Sequence, residues 1–158
     1  SGAIAVSLKK SRPMWQVTAS DLSADALVLA KDNAKLNRVD ISFVLADVFE
    51  NVSGCFDIIV SNPPYISEND KDEVGLNVLT SEPKMALFAD EDGLAIYRQI
   101  LEDADKYLNP QGKLYFEIGY KQGEDLRKLL SLHFPDKHVR VLKDQFGQDR
   151  MVVMDDGK

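Results

Sequence analysis

The residues best suited to chemistry are Ser61-Asn62-Pro63-Pro64-Tyr65, directly after the apolar run Phe56-Asp57-Ile58-Ile59-Val60. A run of that kind reads as a strand buried on both faces. Two prolines then stop it, because each lacks an N–H and fixes its own φ. Pro63 also biases Asn62 away from the helical region. The outcome is a stiff, extended turn at the carboxyl end of a strand, the edge at which open α/β sheets bind ligands. The turn displays a side-chain amide, backbone carbonyls and an aromatic ring. Together these can hold a flat NH2 group.

Two aspartates end the preceding strands. Asp21 follows Trp15–Ser20, where a carboxylate can accept from both hydroxyls of a ribose. Asp47 follows Ile41, Phe43 and Leu45, which alternate as in a strand, and can accept from an exocyclic amine of adenine. Val48 and Phe49 stand beside it, suited to contact with the adenine ring. Either aspartate alone is ordinary at a helix cap or turn. Two at consecutive strand ends, with Asn-Pro-Pro-Tyr at the third, form a far more specific set.

The elements that position these residues alternate. A helix is expected from residue 1 to Lys10, and Ser23 is placed to cap a second one with Ala26, Leu29, Ala30 and Leu36 at helical spacing. A third runs from Leu94 to Leu108, burying Leu94, Tyr97, Leu101, Ala104 and Leu108, and stops before a turn at Asn109-Pro110-Gln111-Gly112. Lys113–Ile118 reads as a strand. Gln122–His133 reads as a helix facing Leu126, Leu129 and Leu130 inward. Val139–Leu142 and Met151–Met154 are strands whose short link excludes a crossover helix, so they form an antiparallel hairpin. The fold is therefore α/β, a doubly wound sheet that is mostly parallel and closed by a C-terminal antiparallel hairpin.

At 158 residues the chain fits one domain with a sizeable core. Nineteen basic against 26 acidic side chains leave a net charge of −7, which argues against broad phosphate neutralisation and so against a nucleic-acid substrate. The single cysteine, Cys55, supports neither a disulfide framework nor a cysteine metal site, and no metal is expected. No apolar run approaches membrane-spanning length, so a cytoplasmic protein is expected, with no membrane partner. His133 and His138 pair with no nucleophile and read as structural.

Beyond these elements, the chain resembles the S-adenosylmethionine-dependent methyltransferases that modify a glutamine side-chain amide in peptide-chain release factors. The match extends along the whole chain. It includes Ser-Gly-Ala-Ile-Ala at residues 1–5, Asp21, Asp47 and Asn62-Pro63-Pro64-Tyr65-Ile66. It continues through Ser81-Glu82-Pro83, Asp92-Gly93-Leu94 and Glu117-Ile118-Gly119-Tyr120-Lys121-Gln122-Gly123. Asn-Pro-Pro-Tyr alone is shared with DNA adenine and RNA guanine amino-methyltransferases. The block from Glu117 to Gly123 favours release-factor enzymes over the related ribosomal-protein glutamine methyltransferases. The resemblance implies a Rossmann-like class I methyltransferase sheet, S-adenosylmethionine as cofactor, release factors as protein substrates, and a monomer.

It also implies roles. Ser1 and Gly2 are similar to the end of a glycine-rich turn that wraps the methionine part of the cofactor. Asp21, Asp47, Val48, Phe49 and Asn62 complete the cofactor set. The strand that precedes that turn in the family, and an amino-terminal helical domain, are not in the sequence, which therefore resembles a catalytic-domain fragment of a longer protein. Asn62, Pro63 and Tyr65 are the expected catalytic residues, and with Pro64 the substrate-binding ones. A glutamine nitrogen is a poor nucleophile, its lone pair delocalised into the carbonyl, so alignment is the main requirement. The Asn62 side-chain oxygen and the Pro63 carbonyl are assigned as acceptors for the two amide hydrogens, and Tyr65 as the ring beside them.

Residues 66–92 form a long connection, read as a partly ordered lid over the target, with Glu82-Pro83 as a brace. Two other readings stand beside the first. One is a ribosomal-protein glutamine or nucleic-acid amino-methyltransferase on the same fold. The other is a truncated, inactive protein-binding fragment.

Overall fold

The computed structural model describes residues 1–64, 66–67, 88–89 and 93–157. These divide into two compact units, Ser1–Ser53 and Gly54–Lys158.

The first unit holds α1 (Ala3–Ser11), β1 (Thr18–Asp21), α2 (Ala24–Asn37) and β2 (Ser42–Leu45). The two strands pair in parallel, Thr18 opposite Ser42 and Asp21 opposite Leu45, so both run out at the same edge. Parallel neighbours need a crossover, and α2 supplies it. Ser23 caps α2 as expected, its side chain accepting from the Ala26 N–H at 3.2 Å. The buried stripe of α2 is Leu27, Ala30 and Ala34. The expected stripe was wrong in part: Leu29 and Leu36 are exposed. Small residues suit this face because α1 lies close over it. A Cβ on Gly2 would stand 2.8 Å from the Ala30 Cβ. Val6, Ala34 and Ile41 make the core, with Val17, Ala19 and Phe43 packed around them.

Two strand starts shift from expectation. Trp15 lies before β1, in a turn closed by its N–H on the Arg12 carbonyl at 3.0 Å. Pro13 opens that turn, and Lys9 Nζ fastens it by donating to the carbonyls of Pro13 and Trp15. Ile41 is buried just ahead of β2, whereas Leu45 is exposed.

The second unit contains β3 (Phe56–Ser61), β4 (Ile66–Ser67), β5 (Phe88–Ala89), α3 (Ala95–Tyr107), β6 (Leu108–Glu117), α4 (Gly123–His133), β7 (His138–Lys143) and β8 (Asp149–Asp155). Its main sheet has the order β3-β6-β8-β7. β3 and β6 are parallel, with Ser61 opposite Phe116. β8 is antiparallel to both of its neighbours, so the expected hairpin is present and its last strand is inserted against β6. β4 and β5 make a separate two-residue parallel pairing.

The turn expected at Asn109–Gly112 is instead part of β6. Phe56 pairs with Leu108 but Ile58 already pairs with Lys113, so β6 bulges outward by the difference. Asn109 Nδ2 holds the bulge by donating to Asp57 Oδ1 at 2.7 Å. Gly112 is required there, since a Cβ would meet the Leu108 side chain at 2.7 Å and the Asn109 carbonyl oxygen at 2.8 Å. Leu108 accordingly belongs to the strand, not the helix.

The core of this unit lies between the sheet and α3 and α4. Tyr97, Leu101 and Ala104 face it from α3, Leu126 and Leu130 from α4, and Leu114, Phe116 and Val152–Met154 from the sheet. Leu129 is only half-buried. Gly123 starts α4 without a side chain because a Cβ would come within 2.9 Å of Val141 and closer still to the Asp149 carboxylate.

Candidate active site

In the first unit both aspartates stand at the carboxyl edge of the β1–β2 pair. Asp21 ends β1. Its carbonyl accepts from the Ala46 N–H at 3.0 Å, and its Oδ1 accepts from the Ser23 N–H at 2.9 Å. The carboxylate is thereby fixed at the start of α2, and Oδ2 has no partner among the described residues.

Asp47 lies two residues beyond the end of β2 and is exposed. Its carbonyl accepts from the Glu50 N–H at 2.9 Å, closing a turn over Val48 and Phe49, both half-buried. Val48 has φ 50° and Asn51 φ 60°. A β-branched residue in the left-handed region is strained by about 1–3 kcal/mol. Such outliers persist where the surroundings over-determine them, and cluster at ligand sites. Gly2 is also left-handed, at φ 70°, and the Ser1 carbonyl is held by Asn33 Nδ2 at 2.9 Å. Ser1-Gly2 is thus anchored on α2.

In the second unit Asn62 leaves β3 exposed, while Pro63 behind it is buried and Pro64 half-buried. The prolines anchor the turn, and the amide is displayed. Beyond Ser61 and Phe116, the adjacent chain at this edge is Glu117-Ile118-Gly119-Tyr120. Tyr120 is 47% exposed. Tyr65 and the Glu82-Pro83 brace lie outside the described residues, as does most of the connection read as a lid.

The hairpin between β7 and β8 turns at the same edge, because Glu117 pairs with Met151. Asp144 organises the tip: its Oδ1 accepts from the N–H of Phe146 at 2.8 Å and of Gln148 at 3.1 Å. Partial burial pushes the Asp144 carboxyl up. The Gln148 and Phe146 N–H groups and Arg150 outweigh that, leaving it below its ordinary range.

Sequence reasoning missed two fastenings beside Asn62. The Tyr97 hydroxyl reaches the Glu117 carbonyl, and the Gln122 side chain bridges Gly119 and Gly93. Tyr97 was legible only as an apolar position of a helix, and Gln122 only as part of a motif. The signal available was a glutamine between two glycines, Gly119 and Gly123, at a helix start.

Among the described residues, no group of three or more His, Cys, Asp or Glu is placed to hold a metal, and no helix is long and apolar enough to cross a membrane.

Residues 1–90 match the family "Methyltransferase small domain". The chain belongs to that family. The chain is 61% identical to the release factor glutamine methyltransferase of Streptococcus pneumoniae, over all of this chain and 57% of that protein. It is 47% identical to that of Lactococcus lactis, over 96% of this chain and 56% of that protein. The chain therefore spans little more than half the length of these relatives. Among solved structures, it resembles a ribosomal protein L11 methylase from Lactobacillus delbrueckii subsp. bulgaricus, with TM-score 0.67 and 22% identity over 97% of this chain and 63% of that one. A methyltransferase from Pyrococcus furiosus aligns with TM-score 0.67 and 20% identity, over 99% and 70% of the two chains. These likenesses show the class I methyltransferase fold that the resemblance implied.

Proposed function

We propose that residues 1–158 are the catalytic domain of a cytoplasmic, monomeric enzyme. It moves a methyl group from S-adenosylmethionine to the side-chain amide nitrogen of a glutamine in peptide-chain release factors. The observation that carries this reading is the 61% identity, across the whole chain, with a relative bearing that name.

The residues fit the cofactor. Asp21 has one carboxylate oxygen held by Ser23 and the other available for ribose hydroxyls. Asp47, with Val48 and Phe49 in a strained turn, suits an adenine amine and ring. Ser1, Gly2 and Asn62 are the other residues proposed to hold the cofactor. When bound, the sulfonium supplies an electrophilic methyl carbon with a good leaving group.

The chain then has to aim a weak nucleophile. The Asn62 side-chain oxygen and the Pro63 carbonyl accept the two hydrogens of the glutamine amide, with Pro64 and Tyr65 as the other residues proposed to bind the substrate. That fixes the nitrogen lone pair along the line of transfer. It also places two partial negative charges where positive charge develops. The methylated nitrogen loses its proton readily to water, so no strong base is required. The displayed position of Asn62 and the burial of Pro63 support this arrangement.

The test is methylation by the full-length protein of three substrates: a release factor, a ribosomal protein and DNA. Mass spectrometry should find one methyl group on a release-factor glutamine. Transfer to DNA, or to the ribosomal protein alone, would overturn the proposed substrate.

A further inference from the structure

Among the described residues only two polar or charged side chains are buried, Asp155 and Gln122. Asp155 has an ion pair with Arg140. Gln122 has no charge to satisfy, yet a buried primary amide is costly unless both of its ends are bonded. Both are. Its Oε1 accepts from the Gly119 N–H at 2.9 Å, and its Nε2 donates to the Gly93 carbonyl at 3.2 Å. A donor on one side and an acceptor on the other leave one orientation of the amide. The Gln122 N–H also donates to the Gly119 carbonyl at 3.0 Å, so the turn between them is closed twice.

The bridged groups belong to different stretches of chain. Gly119 lies in the turn beyond β6. Gly93 lies just ahead of α3, where the chain comes back from the long connection. β6 is the parallel neighbour of β3, so the Gly119 turn leaves the sheet alongside Asn62-Pro63. Gln122 therefore ties down the chain that borders the exposed Asn62 amide.

We infer that Gln122 is a positioning residue for methyl transfer. Its buried amide locks the turn beyond β6 to Gly93, and this keeps the edge next to Asn62 and Pro63 in the geometry that aims the target nitrogen. It touches neither substrate nor cofactor. The inference rests on the proposal that Asn62 and Pro63 hold the target amide.

Alignment sets the rate of such a transfer, and small misplacements are costly in rate. The experiment compares wild-type, Gln122→Leu and Gln122→Glu full-length proteins. Single-turnover methylation of a release factor is followed at saturating cofactor, from pH 5.5 to 8.5, well below each thermal midpoint. Gln122→Leu should be slower by about tenfold or more, with cofactor affinity within twofold of wild type. Gln122→Glu should be slow while ionised, because an acceptor then faces the Gly93 carbonyl. Its rate relative to wild type should rise on acidification, as the protonated acid regains a donor. A purely structural role would lower the midpoints but leave folded-state rates and the pH profile like wild type, and that result overturns the inference. If Gln122→Leu does not fold, the Glu variant decides: a constant ratio to wild type across pH overturns it. Failure of the functional reading looks different, since wild type itself would leave the release factor unmodified, and the positioning role would fall with it.

Discussion

The Tyr97 hydroxyl donates to the Glu117 carbonyl oxygen at 2.6 Å, across the seam between α3 and the end of β6. The same ring meets Phe116 edge-on, with centroids 5.3 Å apart at 67°. A fully buried tyrosine thus joins the first turn of a helix to the last residue of a strand. Removing only its hydroxyl keeps the packing and strands a partly buried acceptor. Tyr97→Phe should lower stability by about 1–3 kcal/mol. Urea unfolding should show a lower midpoint with an unchanged slope.

Asn62→Ala should leave that midpoint nearly unchanged, because the side chain is exposed. The acceptor it removes matters most as the nitrogen becomes cationic. The loss should fall on kcat, by about 10²-fold or more. Single-turnover methylation at saturating cofactor measures it. A rate within a few-fold of wild type would reduce Asn62 to a turn residue.

Asp21 can be separated into two roles. Asp21→Asn retains an oxygen for the Ser23 N–H but loses the charged acceptor proposed for the ribose. S-adenosylmethionine binding by the full-length protein should weaken by about 1–3 kcal/mol, with little change in thermal midpoint. Calorimetric titration checks the first quantity and a thermal melt the second.

Acid should loosen the C-terminal hairpin. The Gly157 N–H, and then Arg140, hold the Asp155 carboxyl below its ordinary range, despite its burial. Asp144 at the hairpin tip is depressed as well. A depressed folded-state pKa stabilises fully above the unfolded value, about 4, and that contribution is lost as pH falls through the folded value. The midpoint should be level from pH 8 to 5 and fall below about pH 4. Asp155→Asn should lie below wild type at neutral pH and approach it in acid.

The layout of the fold was legible because its signals are local. Ser23 marks a cap, Asn62-Pro63 ends a strand, and the link between β7 and β8 is too short for a crossover. What escaped depends on partners far along the chain. Leu29 and Leu36 have helical spacing, but the close approach of Gly2 to Ala30 selects the neighbouring stripe. Asn109-Pro110-Gln111-Gly112 has turn chemistry, yet its pairing with Asp57 draws it into β6 as a bulge. The candidate site divides in the same way. Asp21, Asp47 and Asn62 stand out in the sequence as residues at or just beyond strand ends, whereas the left-handed Val48 and the bonds of Gln122 arise only once the chain has folded.

The strand order carries a consequence for synthesis. β8, residues 149–155, is made after β6 and β7, yet it lies between them and contains the fully buried run Val152–Met154. A nascent chain that has already produced β3, β6 and α4 still has an apolar slot waiting on β6. On a ribosome this sheet would stay open until β8 had emerged, with an unpaired edge exposed to other chains. A stop ahead of residue 149 would remove the strand on which its two neighbours close.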